Sequence, residues 1–330
     1  MNGQQTLFEI RRSDCPFAHL IDHNDTHCDV HMFEADGYEV IGDNSATLDD
    51  WMAEARGVQL DDVIARDIVV PPLPSFIPNV PRGSQRLYQD FSPEFVTVNL
   101  GKIVSMEKLS VAKSLTELLG LPASTKVIIQ CYGKDRLIEN IWPVRHEVFR
   151  KLAQLQPYAI TSVNYSVWDS QPHGEQLLNI KRGLLTFEDL QELNLPTIPH
   201  IYWSSKQTMQ AWSKWLHHNI AVNVVAINLQ TLRKPTEWAK AMNDLRYFVS
   251  ILPRDIHFLI TGPQAADRVK EVISILKNVT LSNGYAAYAA ASHYELQLDD
   301  GTIRSTYTDK SYGQILQNSM QLYDNIIHSS

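Results

Sequence analysis

The chain has 330 residues, 44% hydrophobic and 20% charged, with a formal net charge of −8 and three cysteines. This composition excludes a disordered or fibrous protein and suits one large α/β domain or two modest ones. The negative charge argues against indiscriminate coating of nucleic acid, which rests on phosphate neutralisation by Lys and Arg, but leaves a local basic groove open.

No apolar run approaches the length of a membrane span, and the start, MNGQQTLFEIRRSD, lacks the apolar block of a signal peptide. We therefore expect no membrane partner and a cytoplasmic location. Cys15, Cys28 and Cys131 are too few and too scattered for a disulfide framework, which agrees with a reducing compartment.

Residues 1–90 read as an irregular extension that packs on the rest of the chain. Within it, Cys15, His19, His23, His27, Cys28 and His31 have the look of a zinc site, with three histidines at helical spacing. Asp22, Asn24 and Asp25 are turn formers that interrupt such a helix, and no C-x-x-C pair is present, so a packed or solvated segment is the favoured reading. No resident metal and no cofactor are expected. The stretch from Val69 to Gly83 is rich in proline, which disfavours both a helix and a central strand.

From about residue 91 the chain alternates. Apolar, β-branched runs predict strands over Phe95–Leu100, Lys126–Tyr132, Ala159–Tyr165, Thr197–Trp203, Asn223–Leu229, Ile256–Gly262 and Asn278–Ser282, with an eighth drawn from His293–Tyr307. Between them, segments such as Ser205–His218, Pro235–Leu252 and Pro263–Lys277 repeat apolar residues every three or four positions, as amphipathic helices do. Ser105 and Thr116 suit helix boundaries, and Gly120 followed by Pro122 is a stop signal. Successive βα units of this spacing predict a (β/α)8 TIM-like barrel over residues 91–330, with a doubly wound open sheet as the competing arrangement. Short basic clusters, Arg145 with Arg150 and Lys151, Lys181 with Arg182, and Arg233 with Lys234, read as solvated helix faces and ends.

Either architecture places its ligand site at the C-terminal ends of the strands. The residues there include Asp135, Asn164, Tyr165, Ser166, Asp169, Tyr202, Trp203, Asn228, Gln230, Arg233, Asn283 and Tyr285. The set is rich in amides, hydroxyls and aromatics and poor in carboxylates and histidines. It suits a flat, hydrogen-bonding ligand such as a nucleobase better than a metal-dependent hydrolase. Each residue also has a plainer role open to it: Asp169 as a helix cap before Pro172, Trp203 as core, and Asn283-Gly284 as a turn.

The segment from Tyr132 to Gly183 with Leu193–Trp203 resembles a phage- and plasmid-borne family of uncharacterised domains. In that family a strand ends in Asp-Phe-Ser and is followed by Pro, Asn and Arg, then by an Ile-Pro-x-x-x-Trp strand. Asn164, Tyr165, Ser166, Pro172, Asn179, Arg182 and Trp203 fill those places, with Asn164 standing where the family has Asp. The segment from His257 to Gly301 resembles the last units of the tRNA-guanine transglycosylase superfamily, which includes DNA base-exchange enzymes and DNA glycosylases used in phage defence. Its members are TIM barrels that cleave N-glycosidic bonds, one Asp attacking the sugar and another, in an Asp-Ser-Gly-Gly-Phe loop, handling the base.

Asp169-Ser170 is the nearest match to that loop, without its glycines, and Ser282-Asn283-Gly284 stands where the nucleophilic Asp belongs. The superfamily's C-terminal zinc cysteines are absent, since no cysteine follows Cys131. Without the late nucleophile, direct hydrolysis is the chemistry the resemblance implies, because it needs one carboxylate to activate water or steady an oxocarbenium-like sugar.

The expected activity is that of a DNA glycosylase acting on a modified base in phage DNA, with glucosylated hydroxymethylcytosine as the specific expectation. Asp169 is the first choice of carboxylate and Asp135 the second. Asn164, Gln230 and Asn283 would bond the base or sugar, and Tyr165, Tyr202 or Trp203 would stack. The alternatives are a transglycosylase, a non-catalytic barrel that binds nucleic acid or protein, and zinc-dependent hydrolysis through Cys15–His31.

Overall fold

The computed structural model describes residues 53–81, 85–103, 113–168, 171 and 173–329. It is a mixed α/β fold built on two four-stranded parallel sheets. One sheet has the order β2 (Phe95–Asn99), β3 (Lys126–Gln130), β4 (Ala159–Thr161) and β5 (Thr197–Ile198). The other has the order β1 (Phe76–Pro78), β8 (Val279–Asn283), β7 (His257–Thr261) and β6 (Val224–Asn228). Isolated parallel bridges link Asn79 to Thr97, beside β1 and β2, and His200 to Ala226, beside β5 and β6.

The helices are α1 (Leu100–Ile103), α2 (Leu115–Leu119), α3 (Asp135–Ile141), α4 (Arg145–Gln154), α5 (His173–Glu192), α6 (Lys206–His218), α7 (Pro235–Ser250), α8 (Ala266–Ile275), α9 (Tyr285–Ala291) and α10 (Tyr312–His328). Local chemistry starts several of them. The Ser205 and Ser311 side chains each close a capping box with the residue three places on, satisfying donors that the first turn leaves unpaired. Ser114 caps α2, so Thr116 falls one residue inside the helix; Ser105 lies outside the described residues.

Four strand expectations are corrected. The proline-rich stretch does supply a strand, β1, fully buried beside β8. Its prolines bracket it: Pro74 precedes the strand and Pro78 ends it. The amides of Asn79 and Val80 then bond the carbonyls of Asn283 (2.8 Å) and Thr97 (2.9 Å). Conversely, the His293–Tyr307 segment adds no strand to either sheet. Its two halves, β9 (Tyr294–Asp299) and β10 (Thr302–Tyr307), pair antiparallel with each other around Asp300-Gly301. The expected strands at Ala159–Tyr165 and Thr197–Trp203 are cut to three and two residues, because their C-terminal halves turn away to build the site.

A small core cluster, separate from the larger one, takes Ile77, Phe95, Ile128, Ala159, Ile198 and Leu259 from six strands and Val224 with Ala226 from a seventh, and Val70 joins it. The large core fills the space between strands and helices. Residues 58–73 run across α5, α6 and the N-terminal ends of the strands. Trp215 Nε1 donates to Val63 O (2.8 Å), the Asn223 amide exchanges bonds with Val70, and Tyr158 OH donates to Pro72 O.

The basic clusters also differ from expectation. Arg145, Lys181 and Arg182 are buried, because each faces a carboxylate: Arg145 meets Glu54 and Asp189, Lys181 meets Asp62, and Arg182 meets Glu139. Among the described residues no helix is long and apolar enough to cross a membrane.

His200, beside β5, is 5% exposed; its Nδ1 lies 2.9 Å from Ser162 O, and burial lowers its pKa to about 4. A histidine held neutral in this way contributes stability fully above its unfolded pKa near 6.5, and that contribution is lost as pH falls toward 4. The loss is on the order of 3 kcal/mol. Urea unfolding at pH 7 and pH 4.5 should show a drop in the wild type that His200→Gln flattens by about that amount.

Candidate functional site

At the C-terminal strand ends, residues that point between the two sheets form a floor of amides and hydroxyls. Asn79 Nδ2 lies 2.9 Å from Thr97 Oγ1, 2.7 Å from Asn99 Oδ1 and 3.2 Å from Gln130 Oε1. Gln130 Nε2 donates to Thr261 Oγ1 (2.8 Å), Tyr132 OH donates to Gln130 Oε1 (2.8 Å), and the Thr97 and Ser282 hydroxyls are 2.8 Å apart. Four strands, β2, β3, β7 and β8, and the residue after β1 are thereby tied into one network. Such a network is costly unless its members satisfy one another, and here most of them do.

Beside this floor, the chain leaving β4 places Asn164, Tyr165 and Ser166 in three directions. Asn164 Nδ2 donates to Tyr202 OH (2.9 Å), while its Oδ1 is buried without a partner. Ser166 Oγ donates to Asp135 Oδ1 (2.6 Å) at the first residue of α3. Burial pushes the Tyr202 phenol up to about 12, against the Asn164 hydrogen bond, and the nearby Asp135 charge adds to the rise. Asp135, Ser166, Asn164 and Tyr202 are thus brought together as the sequence suggests. Asp169 and Ser170 lie outside the described residues, as do Pro172 and the histidine-rich stretch Cys15–His31.

The other expected residues are used differently. Tyr165 is 2% exposed, with the Arg182 guanidinium 3.9 Å from its ring centroid and Trp142 edge-on, so it has no face left for a base. Trp203 packs against Phe248 of α7 and reaches Asp244 with its indole N–H (3.4 Å), away from the strand ends. Asn283 is committed within its own turn: Nδ2 donates to Pro263 O (2.8 Å) and Oδ1 accepts from the Tyr285 amide (3.0 Å). Tyr285 stands close to Tyr323 of α10. Asn228 Oδ1 caps the Gln230 amide (2.9 Å), and the side chains of Gln230 and Arg233 are exposed.

The sequence reading missed Asn79, hidden in the proline-rich stretch, and Gln130, a lone amide closing an apolar run. It also missed Glu175 in the first turn of α5, which is 2% exposed. Its carboxyl is raised to about 8, first by burial and then by the charge of Glu139, with Arg182 and Gln171 opposing. Its proton is therefore held well above the usual carboxylate range. Gln171 Nε2 lies 3.4 Å from one of its oxygens and the other is unpartnered.

A buried chain of contacts connects this acid's helix to the strand ends. Asn179 donates to Ser166 O (2.9 Å) and accepts from Arg182 Nη1 (3.0 Å), and Arg182 Nη2 meets Glu139 at 2.6 Å. Asp135 and Glu139 lie one turn apart on α3, so the same helix holds the exposed-end carboxylate and the buried ion pair.

No protein-family model matches the chain, and no curated protein matches it. Among the described residues, no three His, Cys, Asp or Glu side chains are grouped to hold a metal ion. The floor offers neutral donors and acceptors, one carboxylate at its rim, and phenols around it. That set can orient a planar polar ring and place one negative charge beside a developing cation.

Proposed function

We propose that the eight parallel strands close into a (β/α)8 barrel and that the chain hydrolyses the N-glycosidic bond of a modified base in DNA at the C-terminal mouth. Closure is supported by the two bridges, Asn79 to Thr97 and His200 to Ala226, which would join the sheets in the order β1 to β8. The small core cluster would then be the interior layer that a barrel of this kind fills with branched side chains.

The observation that carries the chemistry is Asp135, held by Ser166 Oγ at 2.6 Å beside an otherwise neutral floor. A single carboxylate so placed suits activation of water, or stabilisation of the sugar cation, as the C–N bond breaks and the base departs. The choice of DNA, and of a bulky modified cytosine such as glucosylated hydroxymethylcytosine, follows from the family resemblance alone.

The test is mass spectrometry of small molecules released when the purified protein is incubated with DNA from phages carrying different base modifications. Wild-type protein should release one modified base and leave abasic sites. Asp135→Asn should lower the rate by roughly 10²–10⁴-fold, the usual contribution of a positioned acid or base. Asp169→Ala, measured alongside, decides which carboxylate is required. Release of no base from any of these DNAs would overturn the proposal.

A second reading, a non-catalytic barrel that binds nucleic acid, is favoured by the way the floor amides already satisfy one another. Binding without release would select it.

A further inference from the structure

Tyr288 lies on α9, three residues beyond the Tyr285 singled out from the sequence, and is 53% exposed. Two observations fix its ring at the mouth. A Cβ added to Gly284 would meet edge atoms of the Tyr288 ring at 2.9 and 3.1 Å and Asn79 O at 3.6 Å, so the ring lies against Gly284, close to the ends of β8 and β1. Tyr288 also stands beside Tyr132: burial pushes the Tyr132 phenol up, an Asn99 hydrogen bond opposes it, and the nearby Tyr288 and Tyr202 hydroxyls add to the rise. Tyr132 thus has Tyr288 and Tyr202 in its neighbourhood; its hydroxyl bonds Gln130 of the floor, and the Tyr202 hydroxyl accepts from Asn164.

We propose that the exposed face of Tyr288 is the stacking platform for a planar heteroaromatic ring, whose N–H edge is recognised by Asn164 Oδ1. The ligand chemistry follows from what the site lacks. Asn164 Oδ1 is a buried acceptor with no partner, which a ring N–H or exocyclic amine would satisfy. An exposed tyrosine near neutral amides offers a ring face on which a planar ring can stack. Tyr165, the aromatic expected from the sequence to stack, is covered by Arg182 and cannot do so. Gly284 belongs to the same device, because a Cβ there would overlap the Tyr288 ring and push it aside. Its own backbone, at φ −87° and ψ −6°, is open to alanine.

The inference rests on the nucleobase reading of the site, and the experiment separates the two. Fluorescence anisotropy with a short fluorescein-labelled single-stranded oligodeoxynucleotide measures binding, and mass spectrometry of phage DNA measures base release. Tyr288→Ala should weaken binding roughly 5- to 150-fold, the range of one base–aromatic stack. Tyr288→Phe should bind within about threefold of wild type, since it keeps the ring. Gly284→Ala should resemble Tyr288→Ala by displacing the ring.

Tyr288→Ala with wild-type binding, or with base release at an unchanged KM, overturns the platform and leaves the hydrolase standing. Tyr288-dependent binding without base release supports the platform and removes the hydrolase. A wild-type protein that neither binds nor releases removes both.

Discussion

Arg182→Ala should destabilise the protein by about 3–5 kcal/mol, the cost of stranding a buried carboxylate whose partner is removed. Arg182 is 1% exposed and Glu139 7%, and their side chains meet at 2.6 Å. The guanidinium also lies over the rings of Tyr165 at 3.9 Å and Trp142 at 4.8 Å, so its loss opens space against two aromatic faces as well. Urea unfolding measures the effect. The double variant Glu139→Gln, Arg182→Met should lose less than the sum of its single changes, since neither charge is then left alone. Additivity within about 0.5 kcal/mol would show that the two charges act independently and would refute the ion-pair account. Because Asn179 bonds both Arg182 and the Ser166 carbonyl, Arg182→Ala should also loosen the segment that holds Asp135.

Gly262→Ala is the second large effect expected. Gly262 has φ +124°, and an added Cβ would sit 2.5 Å from Gln230 N, 2.7 Å from Gln230 Cα and 2.8 Å from Leu229 C. All three are backbone atoms and cannot turn aside as a side chain can. Leu229 N already bonds Thr261 O (2.8 Å), and Gly262 N bonds Ser282 O (3.0 Å), so β6, β7 and β8 are locked together at this point. Backbone strain and overpacking, at about 1–3 kcal/mol each, should add. The urea midpoint should fall while the m-value stays constant. A variant as stable as wild type would mean that the strand ends yield more readily than their hydrogen bonds suggest.

Both positions bear on how much the chain discloses before it folds. Gly262 closes an apolar run, and the run alone marks a strand and its end. What the sequence cannot show is that a neighbouring backbone passes within contact of its Cα. Arg182 beside Lys181 reads as a solvated pair because charge next to charge usually means surface. Only the approach of Glu139 and Asp62 from other elements turns both inward.

The sequence by itself determined the parallel α/β character, seven of the eight parallel strands and the amphipathic helices α6, α7 and α8, because apolar periodicity is a local property that tertiary packing then uses unchanged. It also brought Asp135, Asn164, Ser166 and Tyr202 to one end of the sheets, since strand ends are legible from where apolar runs stop. The tertiary structure alone decided the rest. β1 could not be read from a proline-rich stretch, because three residues bracketed by prolines carry no period; pairing with β8 makes them a strand. The surroundings of Tyr165 and Tyr288 were likewise invisible, because an aromatic is buried or exposed according to what the rest of the chain lays over it. Arg182 reaches Tyr165, and Phe248 reaches Trp203, from other elements of the chain.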